Sequence, residues 1–328
     1  MRKDKQKQSK KISKGMMMGA GILGAYVFLM AGITLGLINY YISGIMVSIL
    51  INVIMAVSLA LVTGYLGELV LGHAGFMAVG AYTSAIITMT LEWPMIIEFP
   101  LALLCGGLFA ALIGVLIGIP ALRLRGDYLG IITLGFGEII RIVLNNLKIT
   151  NGAKGLTGIS GYSNFSIAFF VTIGIIFVIY RLIHSRHGRA IMAIRENEIA
   201  ADCVGISTFY FKTFAFAVAA FFAGIAGGLY AHYYQVLNPA SFGFLYSIEY
   251  LIIVVLGGMG NLFGTVIAAI VLGGLNEVLR EFAEYRMLIY SLVLIFIMVC
   301  KARGISFNHL KVRKKNKQIG HPIPEEGH

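Results

Sequence analysis

The sequence predicts an all-α polytopic membrane protein with about ten transmembrane helices and glycine-rich breaks between some of them. Hydrophobic residues fill 58% of the 328 positions and charged residues only 12%. Mean hydropathy is +0.86, a value that excludes an ordinary water-soluble domain. The chain also divides into ten apolar stretches close to the ~20 residues that a spanning helix needs. Its 40 glycines suit tightly packed membrane helices, because small residues let helix backbones approach closely.

Polar residues divide the chain into a basic N-terminal tail (1–16), a transmembrane domain (17–303) and a basic C-terminal tail (304–328). The first seven predicted spans lie at about 17–40, 42–63, 76–91, 98–120, 128–147, 165–183 and 209–232. The eighth follows Pro239 and ends in the stretch 256–264, the ninth continues from that stretch to about 279, and the tenth lies at about 287–300.

Charge distribution predicts the orientation of these spans. With ten spans, both tails lie on the same side of the membrane, together with a long polar interval at residues 184–208. That side carries 21 of the 26 lysines and arginines. Since cytoplasmic loops are enriched in these residues, we expect both termini and the 184–208 segment to be cytoplasmic. This topology also explains the net charge of +11 without nucleic-acid binding.

The 184–208 segment carries the signals of a short helix. Asn197 is a favourable N-cap, Glu198 supplies negative charge to the first turn, and Gly205 is a natural C-terminal stop. Ala200 and Ala201 would leave a small surface that another protein could approach closely. An ordinary connector with solvated charges remains the alternative.

Two glycine-rich stretches, residues 64–76 and 256–264, predict broken helices or re-entrant turns. Such backbone is tolerated in a bilayer only where protein or a water-filled cavity covers it. Glu138 and Arg141 in the fifth span are three residues apart, so they share a helical face and can pair, either structurally or beside a substrate. Our candidate residues for a translocation path are Gly67, His73, Tyr82, Thr133, Glu138, Arg141, Gly257 and Gly258.

The sequence predicts no catalytic, cofactor or metal site of its own. No lysine follows a glycine as in a phosphate-binding Walker A loop. The chain also shows no Ser/His/Asp arrangement and no metal-ligand spacing, and its three cysteines are far apart.

Several blocks of sequence together resemble the permease subunit of a branched-chain amino acid ABC transporter of the LivM type. They lie at residues 64–67, 71–76, 80–82, 123–129, 133–138, 150–159, 188–190, 193–196 and 256–260. The 184–208 segment resembles the family's coupling loop, whose signature places Glu-Ala-Ala four residues before a glycine. Ala200, Ala201 and Gly205 keep that spacing, whereas Ile199 stands where Glu is expected. Glu68 replaces a small or apolar residue, and Val70 replaces the expected Ser.

The resemblance implies an importer that works by alternating access in the cytoplasmic membrane of a prokaryote. Its partners would be a second, LivH-like permease, two cytoplasmic ATPases, an extracytoplasmic amino-acid-binding protein and membrane lipid. The implied substrates are branched-chain, aliphatic amino acids. The residues implied in coupling to the ATPases are Arg195, Glu196, Glu198, Ala200, Ala201 and Gly205.

Two alternatives remain open on sequence. Permeases for urea, short amides or sugars share parts of these motifs. An ion-coupled secondary transporter, in which Glu68, Glu138 and Arg141 carry the coupling charge, would need no ATPase.

Overall fold

The computed structural model describes most of the chain between residues 26 and 278. The described residues are 21, 24, 26–36, 39–91, 93–122, 124, 127–278, 292, 295 and 299. The two predicted tails and most of the tenth span therefore lie outside the described residues. Contacts divide the chain into Met1–Val278 and Leu279–His328. In the second unit, Leu292, Ile295 and Val299 are helical and exposed.

The first unit is almost entirely helical. After a helical stretch at 26–34, its helices are α1 (Tyr40–Leu59, continued by a π-helical turn at Ala60–Leu66), α2 (His73–Thr90), α3 (Met95–Ala121), α4 (Asp127–Asn146), α5 (Phe165–Ile183), α6 (Arg186–Glu196), α7 (Glu198–Cys203), α8 (Thr208–Tyr234), α9 (Phe244–Gly257) and α10 (Leu262–Val278). Two 3₁₀ turns lie at Gly152–Lys154 and Pro239–Phe242.

Five of these helices are long and apolar enough to cross a membrane, within the part of the chain that the structure describes. They are α1 with its π-helical turn, α3, α4, α5 and α8. Helices α9 and α10 are apolar but shorter. The predicted class, an all-α polytopic membrane protein, is confirmed, whereas the number ten and the position of the termini stay predictions.

The core forms where α2, α3 and α8 cross with their backbones in contact. A Cβ atom on Gly80 would lie 2.2 Å from the carbonyl oxygen of Gly224. One on Gly224 would lie 2.9 Å from the Cα of Gly107, and one on Gly106 would lie 2.8 Å from the oxygen of Gly80. Glycine at these positions permits the close approach, as expected for helices packed in a bilayer.

Helix α1 packs beside this core against α5, α8, α9 and α10. Its second half is apolar all round and buried, which is the pattern of a helix enclosed by other helices. The few polar groups there are satisfied within the protein: the Tyr250 hydroxyl on α9 donates to Asn52 Oδ1 at 3.1 Å.

A short strand pair joins two loops at one end of the helices. Strand β1 (Leu156–Thr157), between α4 and α5, pairs antiparallel with β2 (Val236–Leu237), which follows α8. The sequence predicted only a loop at β1, because two residues are too few to show a strand pattern.

Both predicted breaks are present. The first runs from the π-helical turn through irregular backbone to the start of α2, and Gly67 adopts a left-handed φ of 85°. The second separates α9 from α10, with left-handed φ angles of 93° at Gly258 and 82° at Gly260. Glycine adopts these angles at no steric cost.

Candidate functional site: the 184–208 segment and the two glycine-rich breaks

The 184–208 segment folds into two helices, α6 and α7. The predicted cap of α7 is confirmed, because Asn197 Oδ1 accepts a hydrogen bond from the Ala200 N–H at 3.0 Å. Gly205 follows the helix with a left-handed φ of 84°. The sequence analysis did not predict α6, although its N-cap was visible: Ser185 Oγ accepts from the Gly188 N–H at 3.3 Å.

Helix α7 presents an exposed surface that combines small and branched apolar residues. Ile199 is 67% exposed and Val204 is 76% exposed, and Ala200 and Gly205 are exposed beside them. Ala201, by contrast, is only 3% exposed and packs inside the chain. The two alanines therefore differ in what they contact, and only Ala200 is available to a partner.

The turn after α7 is fastened to the next membrane helix. The Asp202 carboxylate accepts hydrogen bonds from both the backbone N–H and the hydroxyl of Thr208, each at 3.4 Å. Thr208 is the first residue of α8. Helix α7 is thus held to the start of α8.

A buried lysine on α8 links α7 to the first break. The Lys212 ammonium lies 2.6 Å from a carboxylate oxygen of Glu68 and 2.9 Å from one of Glu198. The Lys212 side chain is 3% exposed, that of Glu68 14% and that of Glu198 30%. A buried charge is costly unless it is paired and hydrogen-bonded, so this lysine fixes the positions of both carboxylates.

A second connection runs from α6 to the same break. Arg195 Nη1 donates to the carbonyl oxygen of Gly64 at 2.7 Å. A Cβ atom on Gly67 would lie 3.0 Å from Arg195 Cγ, and one on Gly260 would lie 2.7 Å from its Nη1. The arginine therefore lies against both glycine-rich breaks. Its neighbour Glu196 is exposed.

The two breaks also contact each other directly. The Tyr65 hydroxyl accepts a hydrogen bond from the Leu262 N–H, the first residue of α10, at 3.0 Å. A Cβ atom on Gly64 would lie 3.1 Å from the Gly260 nitrogen. Segments almost 200 residues apart in sequence therefore form one structural unit, which we call the glycine junction (residues 64–67 and 258–262).

Two of the predicted path residues hold the first break in place. Thr133 on α4 is buried, and its hydroxyl accepts from the Leu71 N–H at 3.1 Å. His73 is also buried, and its Nε2 lies 2.8 Å from the Ser58 hydroxyl of α1.

Glu138 and Arg141 form the predicted ion pair. Arg141 Nε lies 2.7 Å from Glu138 Oε2, and both side chains are about one-third exposed, at 34% and 30% respectively. The other carboxylate oxygen of Glu138 accepts from the Phe244 N–H at 3.2 Å. Since Phe244 opens α9, Glu138 caps that helix as well as pairing with the arginine.

The remaining predicted path residues lie in two separate places. Tyr82 is buried, and its hydroxyl donates to the Leu237 carbonyl of β2 at 3.3 Å, beside the strand pair. Gly257 packs α9 against α10: a Cβ atom there would lie 2.5 Å from the Thr265 Cα. Its neighbour Gly258 belongs to the glycine junction.

The sequence analysis missed Lys212 as a site residue. Its signal was available, because a single lysine placed five residues into an apolar helix must find an anionic partner or reach water. Tyr65 was missed as a bridge for a different reason: nothing local to it marks its partner on α10.

Comparison with known proteins places these features in a family. The model of the family described as "Branched-chain amino acid transport system / permease component" matches residues 41–299. The match therefore includes the glycine junction, the 184–208 segment and the helices between them. No solved structure gives a significant match to the chain.

Individual relatives agree with this assignment. The chain is 39% identical over 291 residues to the high-affinity branched-chain amino acid transport system permease protein LivM of Escherichia coli, covering 78% of this chain and 68% of the relative. It is 26% identical over 278 residues to the LivH permease of Salmonella typhimurium, covering 77% and 90%. It is also 26% identical over 291 residues to the ribose import permease protein RbsC of Haemophilus influenzae, covering 80% and 84%.

The glycine-rich breaks and the capped helix α7 of this helical membrane fold lie within the matched residues. Because the match covers most of the chain, this chain belongs to the branched-chain amino acid transport permease family.

Proposed function

We propose that the chain is one of two permease subunits of an ABC importer for branched-chain, aliphatic amino acids. Its relatives at 39% and 26% identity carry the names LivM and LivH, which supports a heterodimeric permease. Two cytoplasmic ATPases and an extracytoplasmic binding protein complete the assembly. The importer lies in the cytoplasmic membrane with ten spans and both termini inside.

The observation that carries the proposal is the surface of α7. Ile199 on this six-residue helix and Val204 directly after it are largely exposed, inside the most polar segment of the described chain. Exposed apolar side chains that adjoin small residues are typical of a protein contact. The five basic residues from Arg181 to Lys212, three of them within the segment, favour the cytoplasmic side, where an ATPase would bind.

The translocation path runs along α4 in this proposal. Gly135 and Glu138 lie on the same helical face, since they are three residues apart, and both remain partly exposed in the isolated chain. Arg141 and Asn145 extend polar character further along the helix, and Asn145 is exposed. Polar groups at membrane depth avoid lipid, so this side of α4 faces the second permease or a water-filled path.

The driving mechanism is alternating access. Binding of ATP draws the two ATPases together and moves the 184–208 segments of the permease pair. The permease then opens outward to the loaded binding protein, and hydrolysis returns it to the inward-open state. An aliphatic zwitterion needs few polar partners along such a route.

Replacement of Ile199 by glutamate tests the docking surface. The chain should be co-expressed with its sister permease and ATPases, and the amount of ATPase that co-purifies should be measured. We expect Ile199→Glu to lose at least nine-tenths of the bound ATPase, because a carboxylate replaces an apolar contact. Ile149→Glu is the matched control, since Ile149 is also 67% exposed but lies in the loop between α4 and α5. Equal retention of ATPase by both variants would refute the docking surface.

Uptake by proteoliposomes tests the function as a whole. The complete importer with its binding protein outside should accumulate labelled leucine, isoleucine or valine only when ATP is supplied to the ATPases. Accumulation driven by an ion gradient alone would instead establish a secondary transporter.

A sugar is the second candidate substrate, favoured by the 26% identity to the ribose import permease. Competition between labelled leucine and ribose in the same proteoliposomes decides between them. Ribose uptake without leucine uptake would replace the amino-acid proposal.

A further inference from the structure

The described chain holds α6 and α7 to the first break by polar contacts at two separate points, one inside the glycine junction and one directly after it. Lys212 joins Glu198 of α7 to Glu68 of the first break, and Arg195 of α6 donates to the Gly64 carbonyl. The first contact involves three charges and the second reaches main-chain atoms. If α6 and α7 move, these ion pairs and this hydrogen bond therefore pull on the first break.

The contact through Lys212 is resistant to being pulled apart. Because its ammonium is almost fully buried, the lysine cannot separate from both carboxylates without leaving an uncompensated charge in an apolar environment. Glu68 directly follows the left-handed Gly67 at the end of the π-helical turn, where its N–H donates to the Val62 carbonyl at 3.2 Å, and irregular backbone begins there and continues to the start of α2. The buried ion pairs of Lys212 thus connect α7 to the point where irregular backbone begins in the membrane domain.

Movement of the first break is passed on to the second. Tyr65 accepts from the Leu262 N–H, and the backbones of Gly64 and Gly260 are close enough that a Cβ on Gly64 would lie 3.1 Å from the Gly260 nitrogen. Arg195 contacts both breaks, since a Cβ on Gly260 would lie 2.7 Å from its Nη1. These contacts therefore join the two breaks into one unit. The π-helical continuation of α1 ends there, α9 ends and α10 begins beside it, and the irregular residues 68–72 connect it to α2.

We propose that Lys212 and Arg195 are positioning residues that transmit the movement of α6 and α7 to the glycine junction, with Glu68 and Glu198 as the ionic partners of Lys212. The inference rests on the proposed function, because it concerns how ATPase movement reaches the membrane domain. It adds a role for four charged residues that act within the chain and not on the ATPase.

The transmission role predicts a loss of coupling in a complex that still assembles. In proteoliposomes containing the full importer, three quantities are measured: the ATPase that co-purifies, the rate of ATP hydrolysis with the binding protein, and amino acid taken up per ATP hydrolysed. Glu198→Ala is the main variant, because Glu198 is partly exposed and its loss leaves the buried Lys212–Glu68 pair intact. We expect normal ATPase binding but uptake per ATP at least fivefold lower than in wild type.

Lysine variants add a test of charge. Lys212→Met should lower uptake per ATP at least tenfold in whatever complex assembles, whereas Lys212→Arg should keep it within about threefold, since arginine can still bridge two carboxylates. A structural role alone would reduce the yield of complex and leave uptake per ATP unchanged.

Arginine variants offer a matched pair on one helix. Arg195→Met should reduce uptake per ATP at least threefold. Arg189→Met should not change it, because Arg189 is exposed on the same helix and its Nη1 donates to the nearby His184 carbonyl, away from both breaks.

The inference is overturned if Glu198→Ala and Arg195→Met both keep wild-type uptake per ATP, or if Glu198→Ala loses the ATPase, which would place Glu198 in the docking surface. Failure of the proposed function looks different: the wild-type chain itself would then bind no ATPase or transport without ATP.

Discussion

Replacement of Gly80 by alanine is expected to destabilise the chain by roughly 2 kcal/mol, as the balance of two opposing effects. Alanine gains about 1 kcal/mol over glycine in a helix interior through its better helix propensity. The added methyl group would lie 2.2 Å from the Gly224 oxygen, 2.3 Å from its Cα and 2.5 Å from its carbonyl carbon.

Those three atoms belong to backbone, so no side-chain rotation can relieve the overlap and α2 must move away from α8. Overpacking a tight core costs ~1–3 kcal/mol, and contact with backbone places this site at the upper end. The net loss of about 2 kcal/mol corresponds to a roughly 30-fold change in the unfolding equilibrium constant.

The measurement is the free energy of unfolding of the purified chain in mixed micelles, followed by circular dichroism during titration with a denaturing detergent. Gly174→Ala is the matched control. Gly174 lies inside α5, and a Cβ atom there would have nothing within 4 Å. This control should be neutral or stabilising by up to about 1 kcal/mol. If both variants changed stability equally, close backbone contact would not be the reason for glycine at position 80.

Substitutions at three further positions test individual contacts by the same measurement. Thr133→Val should destabilise by about 1–3 kcal/mol, because the Leu71 N–H loses its acceptor, and Thr133→Ser should restore most of that loss; an equal loss in both variants would contradict this account. Glu138→Met should cost about 1 kcal/mol by removing the acceptor for the Phe244 N–H, whereas Glu138→Gln should cost less because its amide oxygen can still accept. Gly205→Val should cost ~1–2 kcal/mol through strain at a φ of 84°, and Gly205→Asn less, since asparagine tolerates left-handed backbone; indifference to both would rule out strain.

Much of the membrane domain could be predicted from apolar run length alone. The sixth predicted span, 165–183, matches α5 at both ends, because Asn164 and His184 bound a predominantly apolar run. The fifth and seventh spans differ from α4 and α8 by one or two residues at each end. Helix α6 was missed because its residues are polar on average and a hydropathy pattern does not mark such a helix.

The site was less predictable because its contacts join distant parts of the chain. Glycine clusters indicated both breaks, but no local pattern shows that Gly64 packs beside Gly260 or that Tyr65 bridges to Leu262. Ala201 was expected, together with Ala200, to leave a small surface for another protein, but it is 3% exposed, and sequence alone does not say which side of a short helix packs inward. Burial of that alanine is a result of tertiary packing.

The pairing of β1 with β2 bears on the membrane topology independently of the distribution of charges. Hydrogen-bonded strands must share one aqueous compartment, so the loop after α4 and the loop after α8 emerge together. Helices α5 and α8, which at 1.5 Å per residue measure about 28 and 40 Å, connect those loops to residues 184–208, and each is long and apolar enough to cross an apolar layer of ~30 Å. An impermeant reagent that modifies Lys154 from one compartment can therefore reach Arg189 only from the opposite one.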